Sequence, residues 1–270
     1  MLRLSRLTRV ALGGVVLFIL FFMYTPLMVL ILNSFNESQI SGWPIESFST
    51  KWWEFARSYQ PIRDALLNSV LVATGAMVIA SILGTLVAFA MKGFSFFGKG
   101  TVNILIVLPI ALPGVVTGVA FSNTYSNFLM PIGFNIGYFG MIVAHSTFCI
   151  VMVFNNVFAR LRRMNPNLQE ASADLGAGLW QTFRLVTFPQ FRTSFAAGAL
   201  LAFALSFDEV VVTIFTAPPG VDTLPLWILK EVGRPNQASV VNVVATVVIL
   251  LSLIPVYISQ RLARAQEEER

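Results

Sequence analysis

The chain has 270 residues and a mass of 29.7 kDa, with 56% hydrophobic and only 11% charged residues. A soluble domain carries about twice that charged fraction, so the composition excludes a disordered chain and an ordinary cytosolic protein. One cysteine and one histidine exclude an internal disulfide and a four-ligand zinc site. The formal net charge is +5, but the basic residues lie between apolar runs rather than on one stripe, so we expect no nucleic-acid partner.

Six uncharged apolar runs predict six transmembrane helices, since one crossing of a hydrocarbon layer takes about 20 residues. They cover residues 11–33, 65–91, 101–122, 137–159, 194–217 and 239–260. The sequence thus predicts an all-α membrane protein with a single domain over residues 1–270. Three arginines before the first run also resemble a signal peptide. That run is too long and no small-residue cleavage site follows it before Asn33, so we expect an uncleaved first span.

The distribution of basic residues predicts the orientation of these spans. The two tails and the loops at 92–100 and 160–193 carry 13 of the 18 Lys and Arg residues, and the other three loops carry 5. By the positive-inside rule, both termini are cytoplasmic. The longest cytoplasmic loop is then 160–193.

Residues 93–101 come close to a phosphate-binding G-x-x-x-x-G-K-[ST] loop. Gly100 stands where the Mg²⁺-binding hydroxyl is needed, three phenylalanines fill the loop, and no strand is evident before it. We therefore expect no cofactor in this chain, and ATP with Mg²⁺ would be bound by partner subunits.

Three features of the sequence leave alternatives open. Pro109 and Pro113 interrupt the third span, which fits either a pathway-lining break or a packing kink. His145 and Cys149 lie one turn apart in the fourth span, and we favour a histidine hydrogen-bonded to a neighbouring helix over a nucleophile–base pair. Two adjacent indoles, Trp52 and Trp53, indicate an interfacial anchor at the outer surface or, less favoured, a partner contact.

The cytoplasmic loop is predicted to be a helix-turn-helix. Asn165 is a good N-cap with Pro166 at the first helical position, and Gly176 ends a helix of about ten residues. A second amphipathic stretch begins near Leu179 and runs to Pro189, where we expect the chain to leave the helix before entering the fifth span.

The same loop carries a motif. Residues 170–176 read E-A-x-x-x-x-G, with Pro189 further on. This resembles the coupling loop of permease subunits of ATP-binding-cassette importers, E-A-A-x-x-x-G-x(9)-I-x-L-P. Ser172 replaces the second alanine, and Thr-Phe-Pro at 187–189 stands where I-x-L-P would be centred; both changes keep size or apolarity.

The resemblance extends over nearly the whole chain and is closest to the polyamine (spermidine/putrescine) branch of these permeases. The segments that carry it are Leu-Asn-Ser-Phe-Asn at 32–36, Leu108-Pro109 with Pro113, His-Ser-Thr-Phe-Cys at 145–149, Asp-Leu-Gly-Ala at 174–177, Leu-Ser-Phe-Asp-Glu-Val-Val-Val at 205–212 and Leu-Pro-Leu-Trp at 224–227.

The resemblance implies a MetI-like permease in the bacterial cytoplasmic (inner) membrane. It also implies three kinds of neighbour besides lipid: a second permease subunit, two ATP-binding-cassette ATPase subunits and an extracytoplasmic solute-binding protein. The ATPases would grip the loop at 160–193 and drive alternating access without a catalytic site in this chain. The residues that match the coupling motif are Glu170, Ala171, Ser172, Asp174 and Gly176.

Asp208 and Glu209 are the only carboxylates within the six predicted spans, and no Lys or Arg lies there to neutralise them. A charge near the bilayer centre costs at least about 2.5 kcal/mol, so such residues usually face a cavity or a partner. On a continuous helix, Ser206, Glu209 and Thr213 share one stripe and Asp208 is turned about 100° away. We expect one or both acids to line the path of a cationic solute; the alternative is pairing with the partner permease.

Two rival functions stay open. One is an importer of the same architecture for another small cationic or amino-acid-like solute. The other, less favoured, is a membrane-embedded transferase or hydrolase that uses His145, Cys149 and Asp208.

Overall fold

A computed structural model describes residues 5–39, 42–133, 137–165 and 167–268, and most of these residues lie in α-helices. In these ranges, β pairing is limited to one isolated antiparallel bridge between Asn36 and Phe48. The helices in chain order are α1 (Arg6–Asn33), α2 (Lys51–Ser58), α3 (Gln60–Gly93), α4 (Lys99–Ala111), α5 (Gly114–Thr124), α6 (Tyr138–Arg163), α7 (Asn167–Asp174), α8 (Leu179–Thr182), α9 (Phe188–Phe207), α10 (Val211–Thr216), α11 (Leu224–Glu231) and α12 (Ala238–Glu268).

Four of the described helices are long and apolar enough to cross a membrane: α1, α3, α6 and α12. A fifth candidate is bent by 103° between α4 and the helical segment from Gly114 to Ile132. The predicted fifth span, 194–217, is divided into α9 and α10. Six uninterrupted spans are therefore not confirmed, because the third and fifth predicted spans are both broken.

Each break has a structural cause. At the first, Leu112 is extended and Pro113 takes the N-cap position of α5, because a proline cannot continue the hydrogen bonding of α4. At the second, no proline or glycine is present. There the carboxylate Oε1 of Glu209 accepts the backbone N–H of Val212 at 2.9 Å. A side chain that satisfies a first-turn N–H starts a new helix, so α10 begins where α9 would otherwise have continued.

The chain divides into two compact units, residues 1–63 with 228–249 and residues 64–227 with 250–270. In the first unit, the indole N–H of Trp53 donates to the carbonyl of Ser34 at 3.1 Å, and its ring stacks on Phe35. The predicted outer-surface indole thus holds the segment after α1 against α2.

The centre of the second unit is α6, which has eleven buried residues. Glycines bring two neighbours close to it. A Cβ added at Gly84 of α3 would lie 2.9 Å from the carbonyl oxygen of Ile150, and one added at Gly198 of α9 would lie 3.1 Å from the Cα of Val153. Such small residues allow helix backbones to approach, which is how helices pack without a hydrophobic driving force in lipid.

Candidate functional site

The two broken spans meet through α5 and α10. Gly114 and Gly118 of α5 face Val211 and Phe215 of α10, and a Cβ added at Gly118 would lie 2.5 Å from a ring carbon of Phe215. The two glycines form a G-x-x-x-G pattern, and the facing pair has the same i, i+4 spacing. This pattern is the sequence signal that predicts close packing of α5 at this position.

A cavity of about 260 Å³ lies beside these breaks. Of the described residues that line it, Glu209 is the only charged one, and Thr117 is the only other polar side chain. The rest present apolar side chains or backbone: Pro109, Ile110, Leu112, Gly114, Phe148, Met152, Leu205 and Val212. An apolar cavity with one convergent charged group is the usual form of a small-ligand site. Pro109 lines this cavity and Pro113 causes the break beside it, which favours the pathway-lining interpretation of the two prolines.

Glu209 is held in place at two points. Its Oε1 accepts the N–H of Val212, and its backbone carbonyl accepts the hydroxyl of Thr213 at 2.7 Å. Asp208 is exposed and is absent from the described lining of the cavity. Of the two predicted acids, Glu209 is therefore the one that faces the cavity.

Ser206 and Thr213, the other predicted pathway residues, are buried and bond to His145. Nδ1 of His145 lies 2.9 Å from Oγ of Ser206, and Nε2 lies 3.0 Å from Oγ1 of Thr213. Ser206 belongs to α9 and Thr213 to α10, so one imidazole on α6 links both sides of the break. These bonds match the preferred interpretation of His145 as a histidine bonded to neighbouring helices.

The proton positions follow from counting donors. Thr213 gives its one hydroxyl proton to the carbonyl of Glu209, so it must accept from the Nε2–H of His145. In the neutral ring, Nδ1 is then an acceptor, and Ser206 donates to it. Cys149 is buried, and its thiol donates to the carbonyl of Ala202 at 3.3 Å. The hydrogen bonds of His145 and Cys149 therefore go to separate groups of other helices, which gives no support to a nucleophile–base pair.

The cytoplasmic loop is a compact helix-turn-helix. Helix α7 covers Asn167–Asp174, somewhat shorter than predicted, and the predicted first position Pro166 lies outside the described residues. Gly176 has φ +79°, which is a conformation that favours glycine, and it ends the helix as predicted. The N–H of Ala177 then bonds back to the carbonyl of Ser172 at 3.1 Å.

The residues that match the coupling motif divide into two groups. The side chains or backbone of Glu170, Ala171, Asp174 and Gly176 are exposed. Ser172 is buried, and its Oγ lies 3.0 Å from Oγ1 of Thr182 in α8. The serine that replaces the usual alanine therefore joins the two short helices to each other.

The prediction that the chain leaves the helix at Pro189 is wrong. A π-helical segment, Phe183–Thr187, connects α8 to α9 without interruption, and Pro189 lies in the first turn of α9. The wider π turn closes with a bond from Phe188 N–H to the carbonyl of Phe183. A π turn changes the register just before the proline, so the missing N–H and the ring of Pro189 are accommodated without ending the helix.

Apolar helices long enough to span a membrane, two broken helices beside a cavity with one carboxylate, and an exposed helical loop together define a multi-pass membrane permease. The chain belongs to the family of binding-protein-dependent transport system inner membrane components, whose sequence profile matches residues 80–267. The predicted inner-membrane location and importer class are thereby confirmed.

Relatives with curated names indicate which members of this family the chain is similar to. The chain is 32% identical over 253 residues to the spermidine/putrescine transport system permease protein PotC of Escherichia coli (strain K12), covering 93% of each chain. It is 31% identical to the putrescine transport system permease protein PotI of the same strain, covering 92% of this chain and 89% of that one. It is 28% identical to a putative 2-aminoethylphosphonate transport system permease protein, PhnV, of Salmonella paratyphi A, covering 88% and 90%. The predicted resemblance to polyamine permeases is confirmed.

Solved structures give the fold. A bacterial alginate ABC transporter in complex with an alginate pentasaccharide-bound periplasmic protein matches with a TM-score of 0.73 at 16% identity, over 96% of this chain and 94% of that one. The MetNI methionine ABC transporter in inward-facing conformations matches with a TM-score of 0.55 at 17% identity, over 77% and 99%. The all-α, MetI-like importer permease fold is therefore confirmed.

Proposed function

We propose that this chain is one of two permease subunits of an ATP-driven importer that moves polyamines such as putrescine and spermidine across the inner membrane. The relatives at 31–32% identity, which carry polyamine names, support this substrate class. In this proposal the chain crosses the membrane six times, the two broken spans included, and both termini are cytoplasmic. The excess of basic residues in the tails and in the loops at 92–100 and 160–193 supports that orientation.

The observation that carries the substrate proposal is the single carboxylate in the apolar cavity. A polyamine is an alkyl chain with ammonium groups, so Glu209 would offset one ammonium charge while Phe148, Met152 and Leu205 contact the methylene groups. An acidic saccharide carries negative charge and no ammonium group, so Glu209 would repel it. 2-Aminoethylphosphonate has one ammonium group, but its phosphonate would bring negative charge close to the same carboxylate.

The loop at 160–193 supports the proposed ATPase contact. Two exposed short helices present Glu170, Ala171 and Asp174 beside a glycine turn, and Leu175 and Leu179 are 89% and 95% exposed. Exposed apolar side chains next to polar ones are typical of a protein-docking surface. In this proposal each of two ATPase subunits binds such a loop, one from this chain and one from the second permease, and supplies the ATP and Mg²⁺ chemistry.

ATP-dependent uptake of labelled putrescine tests the proposal, using vesicles that contain this chain with its partner subunits and binding protein. We expect competition by spermidine but not by a neutral amino acid, 2-aminoethylphosphonate or inorganic phosphate. Competition by the phosphonate or the amino acid instead would reject the polyamine assignment and retain the importer architecture.

Two matched substitutions test the cavity. Glu209→Gln should lower the uptake of putrescine at least tenfold with normal assembly of the complex, because the ammonium group loses its counter-charge. Asp208→Asn removes the neighbouring charge, which does not reach the cavity, and should change uptake by less than about twofold. Equal effects of both substitutions, or loss of the complex with Glu209→Gln, would contradict a role of Glu209 in passage.

A further inference from the structure

The hydrogen bonds around His145 form a continuous path to Glu209. The imidazole Nε2–H donates to Thr213, and the Thr213 hydroxyl donates to the backbone carbonyl of Glu209, at 3.0 and 2.7 Å. On the other side of the break, Ser206 bonds to Nδ1 at 2.9 Å. His145, Ser206 and Thr213 are each at most 3% exposed. A helix break with no proline or glycine is therefore joined on both sides to one side chain of α6.

We infer that His145 is a positioning residue for Glu209, and this inference rests on the proposed role of Glu209 in passage. The imidazole fixes the distance between the end of α9 and the start of α10, so the turn at 208–210 keeps one shape. In that shape the carboxylate of Glu209 caps α10 and faces the cavity. Without the bond from His145, the Thr213 hydroxyl can adopt other rotamers, and the backbone carbonyl of Glu209 is no longer held in one position. The carboxylate of Glu209 then faces the cavity for a smaller fraction of the time.

A purely structural histidine would also be buried and fully bonded, so the two roles must be separated by function. A structural role predicts loss of assembled complex or a uniform loss of transport. Positioning of a substrate-contacting carboxylate predicts weaker binding of substrate, seen as a raised KM, and no effect where that carboxylate has been neutralised. Residues that act in one chain of contacts are non-additive, and a double-mutant cycle measures this directly.

Thr213→Val is the main variant, because valine keeps the shape of threonine and removes only the hydroxyl. Thr213→Ser restores the hydroxyl. Thr216→Val is the matched control: Thr216 is also buried in α10, but its hydroxyl donates to the carbonyl of Val212 at 2.9 Å, within its own helix. His145→Leu removes the whole link. Each is measured as ATP-dependent putrescine uptake at several concentrations, alone and combined with Glu209→Gln.

We expect Thr213→Val and His145→Leu to raise KM at least fivefold with maximal rate and assembly within twofold of the parent. Thr213→Ser and Thr216→Val should stay within twofold. Combined with Glu209→Gln, Thr213→Val should change KM less than twofold. If Glu209→Gln leaves no measurable uptake, Glu209→Asp, which shortens the side chain but keeps the carboxylate, takes its place in the cycle. Thr213→Val should then raise KM less than it does in the parent. If His145→Leu does not assemble, Thr213→Val carries the test.

Three results would overturn the inference: additive effects of Thr213→Val and the Glu209 substitution, a fall in maximal rate or assembly with KM unchanged, or the same effect from Thr216→Val. Failure of the proposed function gives a different pattern. If Glu209→Gln transports like the parent, the passage role of Glu209 is wrong, and positioning through it is wrong as well. If Glu209→Gln loses uptake while the effects are additive, only the positioning inference fails.

Discussion

Gly84 on α3 is the position where the smallest change should have a large, calculable effect. In Gly84→Ala the new methyl group would lie 2.9 Å from the Ile150 carbonyl oxygen, 3.0 Å from Cβ of Val153 and 3.1 Å from the N of Phe154. Ordinary contacts begin at about 3.5 Å, so α3 and α6 must separate by about 0.5 Å at this point. Backbone atoms cannot rotate away as a side-chain end can, and the separation loosens the contacts of neighbouring residues.

The expected magnitude follows from two opposing terms. Overpacking of this kind costs about 1–3 kcal/mol. Alanine is more favourable than glycine in a helix interior by up to about 1 kcal/mol. The net destabilisation should therefore be about 1–2 kcal/mol, roughly a tenfold shift in the folding equilibrium. At Gly75, the added methyl group would meet Cδ1, Cγ2 and Cγ1 of the Ile142 side chain at 2.8, 3.0 and 3.1 Å. No backbone atom is among these close contacts, so Gly75→Ala should cost less than Gly84→Ala.

Cys149 supplies the assay. It is the single cysteine of the chain and is fully buried on α6, so a thiol-reactive fluorogenic maleimide reports the opening of this helix on heating. The complex is purified in detergent with cysteine-free partner subunits. Gly84→Ala should react at a temperature several degrees lower than the parent. Gly93→Ala, near the end of the same helix and with open space around the added methyl, is the control and should match the parent. Equal transition temperatures for Gly84→Ala and Gly93→Ala would refute the close α3–α6 approach.

Three further predictions concern the loop and the segment after α1. Ser172→Ala removes the hydrogen bond between α7 and α8, which contributes about 1 kcal/mol to the stability of the loop. The amount of putrescine taken up per ATP hydrolysed should fall, and an unchanged ratio would contradict a coupling role of the loop's shape. Gly176→Ala places a side chain at φ +79°, a backbone strain of about 1 kcal/mol or more, and should weaken ATPase binding in a pull-down. Gly178→Ala is the control, because φ −69° suits any residue, and it should leave ATPase binding unchanged. Trp53→Phe keeps the aromatic ring but loses the bond to the carbonyl of Ser34, so limited proteolysis near residue 36 should become at least twofold faster, and no change would count against that bond's importance.

The sequence predicted well the features that depend on composition along the chain. Long apolar runs located α3, α6 and α12, because a lipid-spanning helix needs about 20 apolar residues whatever its neighbours are. Pro109 and Pro113 predicted an interrupted third span, since proline removes a backbone donor. Gly176 predicted the end of α7 for an equally local reason, the steric cost of a side chain at positive φ.

The break between α9 and α10 could not be predicted from the same signals. Hydropathy continues through residues 207–212 apart from two acids, and a continuous helix was the simplest expectation. Two interactions divide the span: the side chain of Glu209 caps α10, and His145 bonds to residues on both sides of the break. His145 lies 61 residues from Ser206 and 68 residues from Thr213 in sequence. Contacts between distant residues leave no periodic pattern in a single sequence.

The prediction at Pro189 was wrong for the opposite reason. The local rule that a proline ends a helix does not hold there. A proline ends an α-helix when the preceding turns hold α register, but a π turn at 183–187 alters that register just before it. Nothing in those five residues marks a π turn in advance. The aromatic rings of Phe183, Phe188 and Phe191 pack against one another along this segment and help to hold it.

The uninterrupted helix from Leu179 to Phe207 has a mechanical consequence. Helix of that length measures about 40 Å along its axis, with the loop at one end and the turn that bears Glu209 at the other. If the helix moves as one body, a tilt of about 10° at the loop end would carry the far end about 7 Å. In the proposed importer this helix would act as a lever, so a force applied at the loop would displace the carboxylate. The π turn at 183–187 interrupts the α register of this helix, so substitutions that stiffen or loosen the turn should change how far the end that bears Glu209 moves.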